Sequence, residues 1–149
     1  MAVARVLSTL LLTLLASGCA LNENEEDRAA GAAVKQHLEQ EYAGAYGDSW
    51  ETLHPRHQRF VTRAEYEDCR GGIDIEGTLE SVLIIDVRDQ PLTIIGLKPR
   101  TPAKAVEVRV TTDETEFTAT YHVVKVGAGW RWVLSDRAAR GFARTDCPE

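Results

Sequence analysis

The sequence predicts an α+β domain, in which helices from the N-terminal half pack on an antiparallel sheet from the C-terminal half. Apolar residues recur every three or four positions before Gly72 and in runs or at every second position after it. These periods are typical of helices and of strands, respectively. The predicted strands follow one another through short turns, and strands linked in this way form antiparallel sheets.

The first helix is predicted over residues 25–46, because one of its faces is apolar. Gly44 and Gly47 are predicted to end it, since glycine is the preferred residue just after a helix. Lys35 and Gln36 can face water. The apolar face consists of residues three or four positions apart: Ala30, Val34, Leu38, Tyr42 and Ala45.

Two short helices are predicted next from their end signals. Asp48 is expected to cap the first of them, with Glu51 three residues later as its capping-box partner. His54-Pro55 ends this helix, because the residue before proline is pushed out of helical geometry. The segment 62–65, Thr-Arg-Ala-Glu, is a full capping box that starts the next helix, and Gly71-Gly72 stops it.

Strands are predicted from β-branched or alternating runs between turn residues. Ser135 is expected to cap a short terminal helix after them. In the strand at 105–111, the alternation directs Val106, Val108 and Val110 inward. The predicted strands cover 78–87, 92–97, 105–111, 116–126 and 130–134.

The N-terminus has the layout of a secretory signal. Arg5 precedes an apolar stretch over 6–16, and Ser17-Gly18 supplies small residues before Cys19. The run Leu15–Cys19 resembles the lipobox of bacterial lipoproteins. This resemblance implies that the thiol of Cys19 is acylated and that the cysteine becomes the first residue of the mature protein.

The lipobox resemblance implies a division of the chain and a location. Residues 1–18 are the expected signal peptide, 19–27 the acylated cysteine with an acidic spacer, and 28–149 the folded domain. The protein is then anchored by lipid to the cell membrane, on its extracytoplasmic face. An ordinary cleaved signal is the first alternative, and a membrane-spanning helix is the second, although such a helix needs about 20 apolar residues and this run is shorter.

The charge balance argues against nucleic acid as a partner. Removal of residues 1–18 takes away one basic residue, Arg5, so the net charge falls from −6 to −7. Affinity for nucleic acid depends on Lys and Arg side chains at phosphates, and this acidic chain has no basic stripe.

The cysteine count predicts one disulfide. With Cys19 acylated, Cys69 and Cys147 remain as an even pair in an oxidising compartment. We therefore expect a bridge between them that ties down the C-terminal tail. The alternative is two separate thiols, which exported domains seldom keep.

The order of elements resembles that of NTF2-like (cystatin-like, SnoaL-type) domains, in which a long helix lies across a strongly curved sheet. The resemblance covers about residues 25–135. Small exported NTF2-like lipoproteins of bacteria share a similar series: Trp50-x-x-Leu53-His54-Pro55, Val61-Thr62-Arg63, Tyr66-x-x-Cys69, a Gly-Trp-Arg-Trp strand and a Cys-Pro tail. The resemblance implies a cone between helix and sheet, and it makes a homodimer through the sheet one option.

The resemblance also places candidate ligand residues in the cone: Tyr42, Trp50, His54, Tyr66, Tyr121 and Trp130. The chain contains no Ser-His-Asp order, glycine phosphate loop or CxxC motif. We therefore assign no catalytic residue, cofactor or metal. Asp86 is the one acid flanked by a long apolar strand, and the simpler interpretation is that it faces water beside Arg88. His54 and His57 have a metal-like spacing but no third ligand, so His54 is expected to bond locally and His57 to be exposed.

These features predict a tethered lipoprotein that binds a small apolar ligand or an envelope protein partner. The alternative is an NTF2-like isomerase, dehydratase or hydrolase that acts on an exported small molecule. The two differ in one feature, because an enzyme needs a buried acid in contact with a Tyr or His inside the pocket.

Overall fold

The computed structural model describes residues 18–73 and 75–148, and for residues 18–24 it describes the backbone alone. The predicted signal segment and the acylated side chain of Cys19 therefore lie outside the described residues. The helices and strands are α1 (Gly18–Tyr42), α2 (Tyr46–Thr52), α3 (Arg63–Gly71), β1 (Leu79–Asp89), β2 (Lys104–Thr112), β3 (Glu116–Val126), β4 (Gly129–Trp132) and α4 (Asp136–Ala143).

The fold is α+β, with one antiparallel sheet in the order β1-β2-β3-β4. Helix α1 contacts all four strands, and three of the five residues predicted to form its apolar face are central to the core. Ala30, Val34 and Leu38 pack in one cluster with Val106 and Val108 of β2. The predicted inward direction of the β2 valines is confirmed, because their side chains are fully buried.

Helix α1 ends at Tyr42, four residues before the predicted end. Gly44 adopts a left-handed φ of 70°, and the amides of Gly44 and Ala45 bond back to the carbonyls of Glu41 and Gln40. This is the Schellman arrangement, in which glycine satisfies the last carbonyls of a helix. The prediction that Gly44 ends the helix is confirmed, whereas the same prediction for Gly47 is wrong, because Gly47 lies within α2.

The helix begins at Gly18, so the stretch predicted as an acidic spacer is helical in its backbone. Its last acidic residues contact the sheet. Glu26 pairs with Lys125, and Oδ1 of Asp27 lies 2.8 Å from Nζ of Lys104. Within the described residues, no helix has both the length and the apolar character that crossing a membrane requires.

The predicted cap of α2 is wrong, whereas those of α3 and α4 are confirmed. Helix α2 begins at Tyr46 directly after the Schellman turn, so Asp48 lies in its first turn and Ala45 precedes it without a side-chain cap. Thr62 and Glu65 form the predicted capping box. Ser135 accepts a hydrogen bond from the amide of Ala138 at the start of α4.

The segment 92–97 does not form the predicted strand. Leu92 makes one isolated bridge to Thr101, and the chain then turns through Gly96, which has a φ of 86°. A Cβ atom at Gly96 would lie 2.7 Å from the ring of Phe60. The close approach and the left-handed backbone both require glycine, and they prevent an extended strand.

The predicted disulfide between Cys69 and Cys147 is present. It joins the end of α3 to the C-terminal tail, over a sequence separation of 78 positions. The tail therefore stays beside α4, where the amide of Asp146 donates to the carbonyl of Gly141 at 3.0 Å.

His57 is fully buried, so the prediction that it is exposed is wrong. Its Nδ1 accepts a 3.0 Å bond from the amide of Leu134, and its Nε2 lies 3.0 Å from the carbonyl oxygen of Ile95. The ring thus carries its proton on Nε2 and joins three separate segments. Burial lowers the pKa of His57 to about 4, which keeps the ring neutral near pH 7.

Candidate ligand cavity

A cavity of about 560 Å³ lies beside the open edge of β3. Strand β4 is short and pairs only with residues 123–126 of β3. Residues 116–121 of β3 therefore have no strand on that edge within the described part of the chain. The walls include His37, Leu38, Glu41 and Tyr42 of α1, Tyr66 and Arg70 of α3, Phe117, Thr120 and Tyr121 of β3, Ala138 and Phe142 of α4, and Pro148 of the tail.

One corner of the cavity holds a buried ion pair with a tyrosine. The side chain of Glu41 is 5% exposed, and its Oε2 lies 2.6 Å from Nε of Arg70. Oε1 of the same carboxylate accepts a 2.7 Å hydrogen bond from the hydroxyl of Tyr66. Burial, followed by the charge of Glu41, raises the pKa of Tyr66. Each carboxylate oxygen therefore has a donor, as a buried charge requires.

Two more tyrosines lie on the wall beside this corner, and both are half-buried. Burial raises the pKa of Tyr42 and of Tyr121, so both hydroxyls keep their protons at neutral pH. The ring centroid of Tyr121 lies 5.9 Å from that of His37, which also lines the cavity. Within the described residues, neither hydroxyl has a hydrogen-bond partner.

His37 forms part of the wall behind the corner. Its Nδ1 lies 2.9 Å from the hydroxyl oxygen of Ser49, and its ring stacks on Trp132 with centroids 3.9 Å apart. Burial lowers the pKa of His37 to about 4, and this outweighs the attraction of Glu41 for a proton. His37 is therefore an uncharged, packed side chain near pH 7.

The structure brings together three of the six predicted pocket residues. Tyr42, Tyr66 and Tyr121 line the cavity, whereas Trp50, His54 and Trp130 are not among its lining residues.

These other three have separate roles in the described structure. Nε1 of Trp50 donates to the carbonyl of Val61 at 3.0 Å. Nδ1 of His54 accepts from the amide of Arg56, which confirms its predicted local bond. Nζ of Lys125 lies 6.0 Å from the ring centroid of Trp130.

Sequence reasoning missed Glu41, Arg70 and His37. A signal for two of them was present, because His37 and Glu41 lie three and seven positions after Val34, within the apolar stripe of α1. Polar residues at such positions face the interior. Arg70 had no comparable signal, since its place depends on how α3 packs against α1.

Two other features considered from sequence have ordinary structural roles. Asp86 is about half exposed and pairs with Arg88 at 2.9 Å, which confirms the simpler interpretation. His57 uses both ring nitrogens within the protein, so neither is free to hold a metal. Among the described residues, no group of three or more His, Cys, Asp or Glu side chains is arranged to hold a metal ion.

Comparison with known proteins yields no match to a protein-family model, to a curated protein or to a solved structure.

Proposed function

We propose that this chain is an exported lipoprotein, tethered to the membrane through Cys19, whose domain binds a small, largely apolar ligand. The observation that carries the proposal is the cavity of about 560 Å³ beside β3. Small-molecule sites are concave, mostly apolar and roughly 300–1,000 Å³ in volume, with a few convergent polar groups. Leu38, Phe117 and Phe142 supply apolar wall, and Glu41 with Arg70 supplies a polar corner.

The domain is proposed to be NTF2-like. The support is the order of its elements, with a long first helix, two short helices and a four-stranded antiparallel meander. The first helix packs on that sheet, and residues of both line the cavity. The proposal that the domain is NTF2-like rests on this similar arrangement of helices and strands.

The tether is proposed from the lipobox and from the course of α1. Helical backbone runs from Gly18 into the domain, and the pairs of Glu26 and Asp27 fix this helix on the sheet. Asp27 lies 27 − 19 = 8 positions after Cys19 in this helix, which is about 12 Å at a rise of 1.5 Å per residue. A lipid on Cys19 would thus hold the domain close to the membrane surface.

The test is native mass spectrometry of the full protein, purified gently from the envelope of its own host. We expect a retained molecule that is absent from Ala138→Phe, because this change puts a larger side chain into the cavity wall. Ala143→Phe is the matched control, since Ala143 is exposed on the same helix. Ligand-free wild-type protein would contradict the proposal.

An acid–base enzyme is the second candidate, and the contact of Glu41 with Tyr66 favours it. A buried acid in contact with a tyrosine inside the cavity is the feature that such chemistry requires. Both carboxylate oxygens already accept hydrogen bonds, which favours a binder. Glu41→Gln separates the candidates when the retained molecule is identified by chromatography as well as by mass. An enzyme would retain a different compound from that held by the wild type, equal in mass for an isomerase and different in mass for a dehydratase or hydrolase, and a binder would retain the same compound.

Binding of a protein partner is the remaining candidate function. The observation that favours it is the exposed apolar surface of β1. Leu83 is 55% and Ile85 is 44% exposed on this edge strand, and exposed apolar side chains on an edge favour association. A partner or a second copy would cover them. Leu83→Lys would then abolish a complex seen by cross-linking, and an unchanged pattern would remove this candidate.

A further inference from the structure

The polar corner of the cavity offers hydrogen-bond donors in excess. Arg70 carries only donors, and among the described residues only its Nε has a protein partner, Glu41. Tyr42 and Tyr121 add two hydroxyls that have no partner in the described part of the chain, and both stay protonated at neutral pH. Donors on a half-buried wall are completed by water or by an acceptor oxygen of a ligand.

The charges at the corner already cancel. Arg70 and Glu41 form a one-to-one pair at 2.6 Å, and His37 is uncharged because burial lowers its pKa to about 4. Asp136, a further acid on the cavity wall, pairs with Arg140 at 2.7 Å. An anionic ligand would therefore bring a charge without a counter-charge, and burying such a charge is costly.

The rest of the wall near the corner is apolar. Leu38, Phe117 and Phe142 come from three different elements, α1, β3 and α4, and all line the cavity. Phe117 is 37% exposed, so ligand contact would cover apolar surface that now faces solvent. The wall thus favours a hydrocarbon body attached to one small polar group.

We infer that the cavity takes an uncharged amphipathic molecule, whose carbonyl oxygen accepts hydrogen bonds from Arg70, Tyr42 and Tyr121 while its hydrocarbon body lies against Leu38, Phe117 and Phe142. This inference rests on the proposed function, because it names the class of ligand for the same cavity. A carbonyl oxygen accepts hydrogen bonds with its two lone pairs and adds no charge, and water completes the remaining donors. A carboxylate satisfies the donors and disturbs the Glu41–Arg70 balance, and an alkane offers them no acceptor.

The experiment uses the full protein in lipid nanodiscs with three photoreactive probes. The probes share one diazirine-bearing hydrocarbon chain and end in a methyl ketone, a carboxylate or a plain methyl group. Cross-linked residues are mapped by mass spectrometry. We expect cavity residues to be labelled at the lowest concentration by the ketone, then by the alkane, and last by the carboxylate.

The three probes partition differently into the lipid. Each variant is therefore compared with the wild type using the same probe. The double variant Tyr42→Phe/Tyr121→Phe should raise the half-labelling concentration of the ketone about tenfold, because two neutral hydrogen bonds are lost. It should leave the half-labelling concentration of the alkane unchanged. Tyr46→Phe is the matched control, because Tyr46 is partly buried against the core and does not line the cavity.

Two results would overturn the inference and leave the proposed function standing. One is strongest labelling by the carboxylate, and the other is ketone labelling that the double variant does not weaken. Absence of cavity labelling by all three probes would overturn the inference and also contradict the proposed function.

Discussion

The hydroxyl of Tyr66 donates a 2.7 Å hydrogen bond to Oε1 of Glu41, and this contact joins α3 to α1 at the cavity. Arg70, one turn further along α3, binds the other carboxylate oxygen. Removal of water from a carboxylate is costly unless each oxygen finds a donor. The pair of donors on α3 therefore makes the packing of that helix depend on one acid of α1.

Arg70→Met should destabilise the protein by about 3 kcal/mol, because it leaves the buried carboxylate of Glu41 without its counter-charge. The measurement is urea unfolding at pH 7.5. Arg63→Met is the matched control on the same helix. Arg63 contacts Glu51 and Glu67, but all three side chains are at least 43% exposed, and exposed pairs contribute about 0–1 kcal/mol. Equal losses in both variants would contradict the prediction.

Acidification should destabilise the protein between pH 6.5 and pH 4 through His37 and His57. Burial lowers the folded-state pKa of each from 6.5 to about 4. The unfolded state then binds more protons in this window, so stability is full above pH 6.5 and falls as the pH drops towards 4. The loss per histidine is on the order of 3 kcal/mol.

Urea midpoints at pH 7.5, 5.5 and 4.5 measure this dependence. His57→Gln should make the urea midpoint depend less on pH between pH 6.5 and 4. It should also lower stability at pH 7.5, because it disturbs the hydrogen bonds to Leu134 and Ile95. A slope in the variant equal to that of the wild type would show that His57 does not titrate there.

Cys147→Ser should lower stability by about 2–4 kcal/mol, because the disulfide closes a long loop in the unfolded chain. It also frees the tail that places Pro148 on the cavity wall, so ligand retention should weaken. The measurement is thermal unfolding without reductant. Cys69→Ser and the double variant should show the same loss as Cys147→Ser, since all three remove one bond. Additive losses would mean that each cysteine contributes separately.

Sequence patterns specified the elements whose signals are local. The capping box of Thr62 and Glu65, the turn at Gly44 and the alternation through Val106 and Val108 each depend on neighbours a few residues away. The α+β class and the disulfide followed from such patterns and from the cysteine count. The strand expected at 92–97 failed because Phe60, distant in sequence, packs against Gly96.

The cavity depended on longer-range geometry. Its edge exists because β4 is much shorter than β3, and no periodicity within β3 shows which of its residues lack a neighbour. The resemblance to NTF2-like domains placed Trp50 and Trp130 with Tyr121 as pocket candidates, whereas only packing separates them. Glu41 was overlooked although its position within the apolar stripe of α1 indicated burial.

Cys19→Ser should release the protein from the membrane fraction. Bacterial lipoproteins are expected to carry at least two acyl chains at this cysteine, and two chains anchor stably where one does not. Cell fractionation with immunoblotting measures the change, and mass spectrometry of the N-terminal peptide reports the acylation directly. The double variant Cys69→Ser/Cys147→Ser is the control, because it removes the other thiols and keeps Cys19. Retention of Cys19→Ser in the membrane fraction after removal of residues 1–18 would refute the anchor. Retention through the uncleaved apolar stretch 6–16 is distinguished from this result by the mass of that segment.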